Sequence, residues 1–149
     1  MGKYFQGIFK PKNPHKYKGD VNNIIYRSSW ELTCLQKFDS HPGIISYSSE
    51  ETVIPYISPI DGKRHRYFVD FTVEVLDKDN KRRKILIEVK PKKQTTPPAP
   101  RSGKPTKGYI NEVKTWGVNS AKWQAARNVC ELNGWEFQIL TEEDLYGKK

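Results

Sequence analysis

Apolar and polar residues change period several times along this chain, and each change marks an element. In SSWELTCLQKFDS, Trp30, Cys34, Leu35 and Phe38 recur at helical spacing. Ser28 followed three residues later by Glu31 fits a capping box, so a helix is predicted over about 28–40, ended by Pro42 and Gly43. A period of two then takes over. IISYSSEETVIPYISP reads as strand and Asp61-Gly62 as a hairpin turn. RHRYFVDFTVEVLD returns with Tyr67, Val69, Phe71, Val73 and Val75 alternating against Phe68, Asp70, Thr72, Glu74 and Leu76. After the turn DKDNK comes a third strand, over about 82–90, and the three are expected to form an antiparallel meander.

The rest is less regular. PKKQTTPPAPRSGKPTKG, about 91–108, holds five of the ten prolines and reads as a flexible basic loop facing DNA. YINEVKTWGVNSAKWQAARNVCELNG is helical, with a break expected near Gly117 and a stop at Gly134. WEFQIL reads as a fourth strand, and Thr141 as the cap of a short last helix. Residues 1–23 show no period. Their lysines (Lys3, Lys10, Lys12, Lys16, Lys18) lie among Tyr4, Phe5, Phe9 and Tyr17 and read as a basic extended arm. One α/β domain over 24–149 is therefore expected, with about four strands in a mixed sheet flanked by helices.

One stretch breaks its own pattern. In KILIEVKPKK, Glu88 and Lys90 interrupt the apolar run of Ile85, Leu86, Ile87 and Val89. A charge inside a buried strand is costly unless it is paired or holds a metal. Residues two apart in a strand share a face, about 6.6 Å apart, so Glu88 and Lys90 lie together, with Ile85, Ile87 and Val89 opposite. Asp70, on the preceding strand, is placed to converge with Glu88. Two carboxylates and a backbone carbonyl, that of Val89, make a hard-oxygen site suited to Mg²⁺. A lysine beside it suits the charge that develops on phosphorus. A lone Glu-x-Lys is often only a solvated face. Glu31 either caps its helix or points into this site.

The charge of the chain sharpens that picture. At 149 residues it carries a net charge of +9, which points to a polyanionic partner, nucleic acid before an anionic membrane surface. No run approaches the ~18 apolar residues that span a bilayer, and the first residues lack the apolar core of a signal peptide. Cys34 and Cys130 read as core residues of a reducing compartment. Basic runs flank the acidic strands: Lys63, Arg64, His65 and Arg66 before Asp70, Lys81, Arg82, Arg83 and Lys84 before Glu88, and Lys92 and Lys93 after it. They read as phosphate contacts without base readout. His65 is expected to be a phosphate or surface histidine rather than a general base.

YFVDF followed by IEVK, after a helix bearing SSWEL, resembles the PD-(D/E)XK nuclease superfamily. Within it the chain looks like the TnsA-like transposon endonucleases, and closer still like the head-completion nucleases of T-even-type tailed phages. The likeness runs from about Asn23 to Leu145. It implies a restriction-endonuclease-like core and a metal-dependent endodeoxyribonuclease, with Mg²⁺ as cofactor and Mn²⁺ as substitute. It assigns Asp70, Glu88 and Glu31 to the metal, Lys90 to catalysis, and Gln124 to the substrate or site. Where the superfamily usually has Pro before the Asp, this chain has Val69. The likeness further implies DNA as partner, portal or neck proteins as further partners, and a place in the host cytoplasm during phage assembly and in the virion head or neck. The alternative is a non-catalytic head or neck protein that binds the portal vertex and DNA. A plain nucleic-acid-binding module explains the charge but not the paired acids.

Overall fold

The computed structural model describes residues 6–147. In chain order its elements are β1 (Gly7–Ile8), β2 (Ile25–Tyr26), α1 (Ser29–Ser40), β3 (Ile44–Ser49), β4 (Val53–Ile57), β5 (Arg64–Phe68), β6 (Phe71–Leu76), β7 (Arg82–Val89), α2 (Lys107–Asn133), β8 (Glu136–Leu140) and α3 (Glu142–Tyr146). The main sheet runs β3-β6-β7-β8, antiparallel up to β7, with β8 parallel to it. Only a crossover returns a chain parallel to its neighbour, and α2 is that crossover. The architecture is the mixed α/β core that the sequence pattern implies.

The meander differs from its expected form. Both long alternating runs break. The first breaks at Glu50, which adopts a left-handed φ of 56°. The second breaks between Phe68 and Phe71. β4 and β5 leave the sheet together as a separate two-stranded ribbon, from Val53 opposite Phe68 to Ile57 opposite Arg64. The fork is held by Val69 N–H donating to the Thr52 carbonyl (3.0 Å) and Glu50 N–H donating to that of Asp70 (3.1 Å). As a result the alternation does not keep one face. Tyr67 and Val69 join the apolar layer of Ile54, Leu86, Trp123, Ala126 and Cys130. Phe71 and Val73 join the opposite layer with Leu35, Phe38, Ile85 and Ile87. The chain changes sides at Asp70.

The remaining elements end where local chemistry requires. Ser28 Oγ accepts from Glu31 N–H (3.1 Å) at the start of α1. Gly134, at φ 72°, closes α2 in the left-handed conformation glycine adopts at least cost. The break expected at Gly117 is absent: α2 is continuous, because one glycine costs a helix only about 1 kcal/mol. Both cysteines are free and buried. Among the described residues no helix is long and apolar enough to cross a membrane.

The expected arm is docked rather than extended, apart from residues 1–5, which lie outside the described residues. Phe9 and Tyr17 are buried in the layer under α1. Asp39 Oδ2 accepts from the backbone of Lys12 (3.0 Å) and Asn13 (3.2 Å), and its Oδ1 accepts from Tyr47 Oη (2.9 Å). The buried Lys16 ammonium donates to the carbonyls of Asp39 and His41, each at 2.9 Å, at the end of α1. These are the carbonyls a helix leaves unpaired. Lys16 therefore clamps this segment to the end of α1.

Candidate active site

β7 delivers the site because both its faces are covered. Leu86 is fully buried on the α2 side, and Glu88, two residues on, follows it inward with only 5% of its surface exposed. A carboxylate there needs partners. Tyr67 Oη donates to Glu88 Oε1 at 2.6 Å, and Lys90 Nζ lies 3.5 Å from Glu88 Oε2. Lys90 remains partly exposed, so its charge reaches outward from the same face.

Asp70 stands at the fork opposite Glu88, one residue beyond the last pair of β6 with β7, Phe71 opposite Ile87. Since β5 has turned away, Val89 N–H has no strand partner there. Asp70 Oδ2 accepts it instead, at 2.8 Å. A strand residue directs its N–H and C=O to the same neighbour, so the Val89 carbonyl faces the Asp70 side as well. Burial raises the pKa of Asp70, and the negative charges of Glu88 and Glu31 raise it further. The Val89 hydrogen bond and the Lys90 charge pull it down without offsetting that rise. Ionised Asp70 is thus disfavoured first by burial and then by its acidic neighbours, a penalty that a bound cation would relieve.

Glu31 sits between its two readings. Its Oε1 accepts from the backbone N–H of Arg27 (3.0 Å), one residue outside the expected box. It is partly buried, with its pKa raised by burial first, and its charge is felt at Asp70. Among the described residues no three His, Cys, Asp or Glu side chains stand close enough together to hold a metal ion. Asp70 and Glu88 supply two carboxylates, which is the number Mg²⁺ takes when waters and phosphate oxygens complete its shell. That donor pair suits a hard divalent cation, with the charge of Glu31 felt beside it.

The outlying candidates separate. Gln124 is exposed on α2 and donates to Asn128 Oδ1 (3.0 Å); it does not join the acids, because Trp123 and Ala126 occupy the helix face toward the sheet. Lys81 precedes β7 and Arg82 and Arg83 begin it, roughly 17 to 20 Å along the strand from Glu88 at ~3.3 Å per residue. Arg83 is held by Glu136 (2.6 Å from Nε) and Arg82 lies 3.6 Å from Glu74. That run does not border the site. Lys92 follows β7 and pairs with Glu143 (2.7 Å), while Lys93 lines a cleft of about 650 Å³ with Trp116 and Asn119. Lys63, Arg64 and Arg66 are exposed on the ribbon that leads into Asp70, the Arg66 guanidinium 5.4 Å from the Phe68 ring centroid. His65 pairs with Asp61 (2.8 Å) at that ribbon's tip, which fits a surface histidine.

Sequence reasoning missed Tyr67, Arg27 and Glu50. Tyr67 read only as one position of a strand's alternation, although a tyrosine in an apolar row signals a hydroxyl in need of a partner. Arg27 donates to both Glu50 oxygens (2.9 and 2.7 Å), and these form a charged pair beside Glu31 and Asp70. Nothing in the local pattern marks that pair, since 23 residues separate its members.

Residues 41–142 match the family model of the TnsA-like endonuclease N-terminal domain. The head completion nuclease of Enterobacteria phage T4 is 42% identical over 144 residues, covering 95% of this chain and 93% of that protein. No solved structure matches the chain significantly.

Proposed function

The chain belongs to the TnsA-like endonucleases, and on that premise we propose that it is a Mg²⁺-dependent DNA endonuclease that processes packaged DNA ends during phage head completion. The observation that carries the reading is the convergence of Asp70 and Glu88 at the end of β7, with Lys90 against Glu88. A structural ion pair gains nothing from a second buried acid repelling the first, whereas a divalent cation compensates both.

Asp70, Glu88 and the Val89 carbonyl would hold the cation, and Glu31 would add negative charge behind them. Bound there, Mg²⁺ would supply Lewis-acid stabilisation of a phosphodiester and acidify a water. Lys90 extends from the same face, so its ammonium meets the nonbridging oxygens as charge grows on phosphorus. It also neutralises Glu88 when no cation is present. The buried Tyr67 and the α2 layer exclude water from behind the carboxylates, so the reacting face opens only toward solvent and DNA. Lys63, Arg64 and Arg66 on the ribbon would hold the phosphates that lead into the site, fixing register without reading bases. Protein acting in this way would work in the host cytoplasm during assembly and remain with the particle.

A second reading has its own observation. The outward face of the ribbon also carries Val53, Ile57 and Phe68, and Ile60 at its tip, all at least 40% exposed. Such a row favours a portal or neck protein as an additional partner.

The test is cleavage of linear and branched duplex DNA in Mg²⁺, Mn²⁺ or EDTA by wild type and Asp70→Ala. Metal-dependent cutting lost in the variant supports the nuclease. A folded wild type that binds DNA without cutting it would turn the reading to the structural role.

A further inference from the structure

Glu88 is tied to the ribbon as well as to its own strand. Tyr67 belongs to β5, outside the main sheet, and reaches across the fork to it. Donor and acceptor residues are 3% and 5% exposed. At 2.6 Å the contact lies in the range of a charge-assisted O–H to carboxylate bond. Lys122 Nζ stands 5.6 Å from the centroid of the Tyr67 ring. A cation over a phenol ring draws density from it and strengthens its O–H as a donor. With Oε1 held by Tyr67 and Oε2 turned to Lys90, the carboxylate cannot rotate without breaking a buried hydrogen bond.

From this geometry we propose that Tyr67 is a positioning residue that sets the orientation of Glu88 for a divalent cation, so that the ribbon's seating tunes metal affinity. The inference rests on the reading of Glu88 as a metal carboxylate. A bound cation takes a lone pair of one carboxylate oxygen, and a second partner on the other oxygen fixes the plane in which that lone pair points. Partners of this kind typically change metal affinity by 10–100-fold when removed. A merely structural tyrosine would satisfy a buried oxygen, and its loss would lower stability while leaving the metal bound as before.

The experiment is calorimetric titration of the full chain with Mn²⁺, for wild type, Tyr67→Phe, Glu88→Gln and the double variant, with melting temperatures measured alongside. Tyr67→Phe is expected to weaken Mn²⁺ binding by about 10-fold or more, and to add less than about twofold once Glu88→Gln is present, because residues acting through one contact are not additive. Tyr67→Leu, which also removes the hydroxyl that Glu88 accepts from, is expected to weaken binding in the same way and serves if Tyr67→Phe does not fold. A Tyr67→Phe protein that melts lower yet binds Mn²⁺ like wild type, while Glu88→Gln does not, would overturn the role of Tyr67 and leave the metal site standing. Unchanged Mn²⁺ binding in Glu88→Gln would overturn both.

Discussion

The carboxylate of Asp70 accepts the backbone N–H of Val89 at 2.8 Å, at the point where β5 turns away and β7 would otherwise lose a partner. One side chain thus closes a sheet and faces a second carboxylate. The two duties can be separated by substitution. Asp70→Asn keeps an oxygen for Val89 and removes the charge. Cleavage is expected to fall by about 100-fold or more, because a metal site contributes several kcal/mol to the transition state. The melting temperature without metal is expected to stay level or rise. Single-turnover cleavage and thermal melts of the same preparations check both halves.

The raised pKa of Asp70 fixes the sign of a pH dependence. Burial is its first cause, with repulsion from Glu88 and Glu31 behind it. The folded state therefore holds this proton more tightly than the unfolded chain does, and the stability it confers is complete below the ordinary carboxylate range and lost as pH rises through the raised value. Without metal, wild type is expected to lose stability between about pH 4 and 8 relative to Asp70→Asn. Added Mg²⁺ is expected to raise the melting temperature more at the alkaline end. Melts in EDTA and in Mg²⁺ across that interval are the check.

Lys90 is expected to matter to rate rather than to fold. Its ammonium is partly exposed and stands 3.5 Å from Glu88. Lys90→Ala is expected to slow cleavage on the order of 100-fold, the scale of losing one preorganised donor to the transition state. DNA binding measured with Ca²⁺ in place of Mg²⁺ should hardly change. Wild-type cutting by Lys90→Ala would remove it from the mechanism.

How much of this was readable in the sequence follows the range of each interaction. The start of α1 at Ser28 and the end of α2 at Gly134 rest on neighbours within one turn, and both were legible. So were the core strands and the opposition of Asp70 to Glu88, since a period of two and one turn place them. The fork was not. The alternation runs unbroken from Tyr67 to Val75, and only the pairing of β4 with β5 and of β3 with β6 splits it at Asp70. The basic run before Glu88 misled for the same reason. Arg83 lies on the site's own strand, but at the end away from Glu88, where its partner is Glu136, 53 residues on. Lys16 looked like part of a charged arm because the helix-end carbonyls it caps are more than 20 residues away.

The docked N-terminal segment gives a stability expectation. Asp39 is buried and accepts from Lys12, Asn13 and Tyr47. Asp39→Ala leaves those donors buried without an acceptor, at a cost of roughly 2–4 kcal/mol, or about 10 °C in melting temperature for a domain of this size. Denaturant unfolding checks it, and cleavage at low temperature should persist.

The ribbon is expected to carry phosphate contact. Arg64→Ala with Arg66→Ala should weaken DNA binding alike for unrelated sequences and lower the slope of log affinity against log salt by about 2. Binding isotherms at several salt concentrations read that slope. The same change at Arg82 and Arg83, which face Glu74 and Glu136, should leave it nearly unaltered.

The most direct measurement is cleavage of supercoiled and linear duplex DNA by wild type, Asp70→Asn and Glu88→Gln, each confirmed folded, in Mg²⁺ and in EDTA. Cutting by wild type in Mg²⁺ alone, with both variants slower by about 100-fold or more, is the expected result. Cutting that persists in EDTA, or in either variant at the wild-type rate, would contradict a metal-dependent centre built on Asp70 and Glu88.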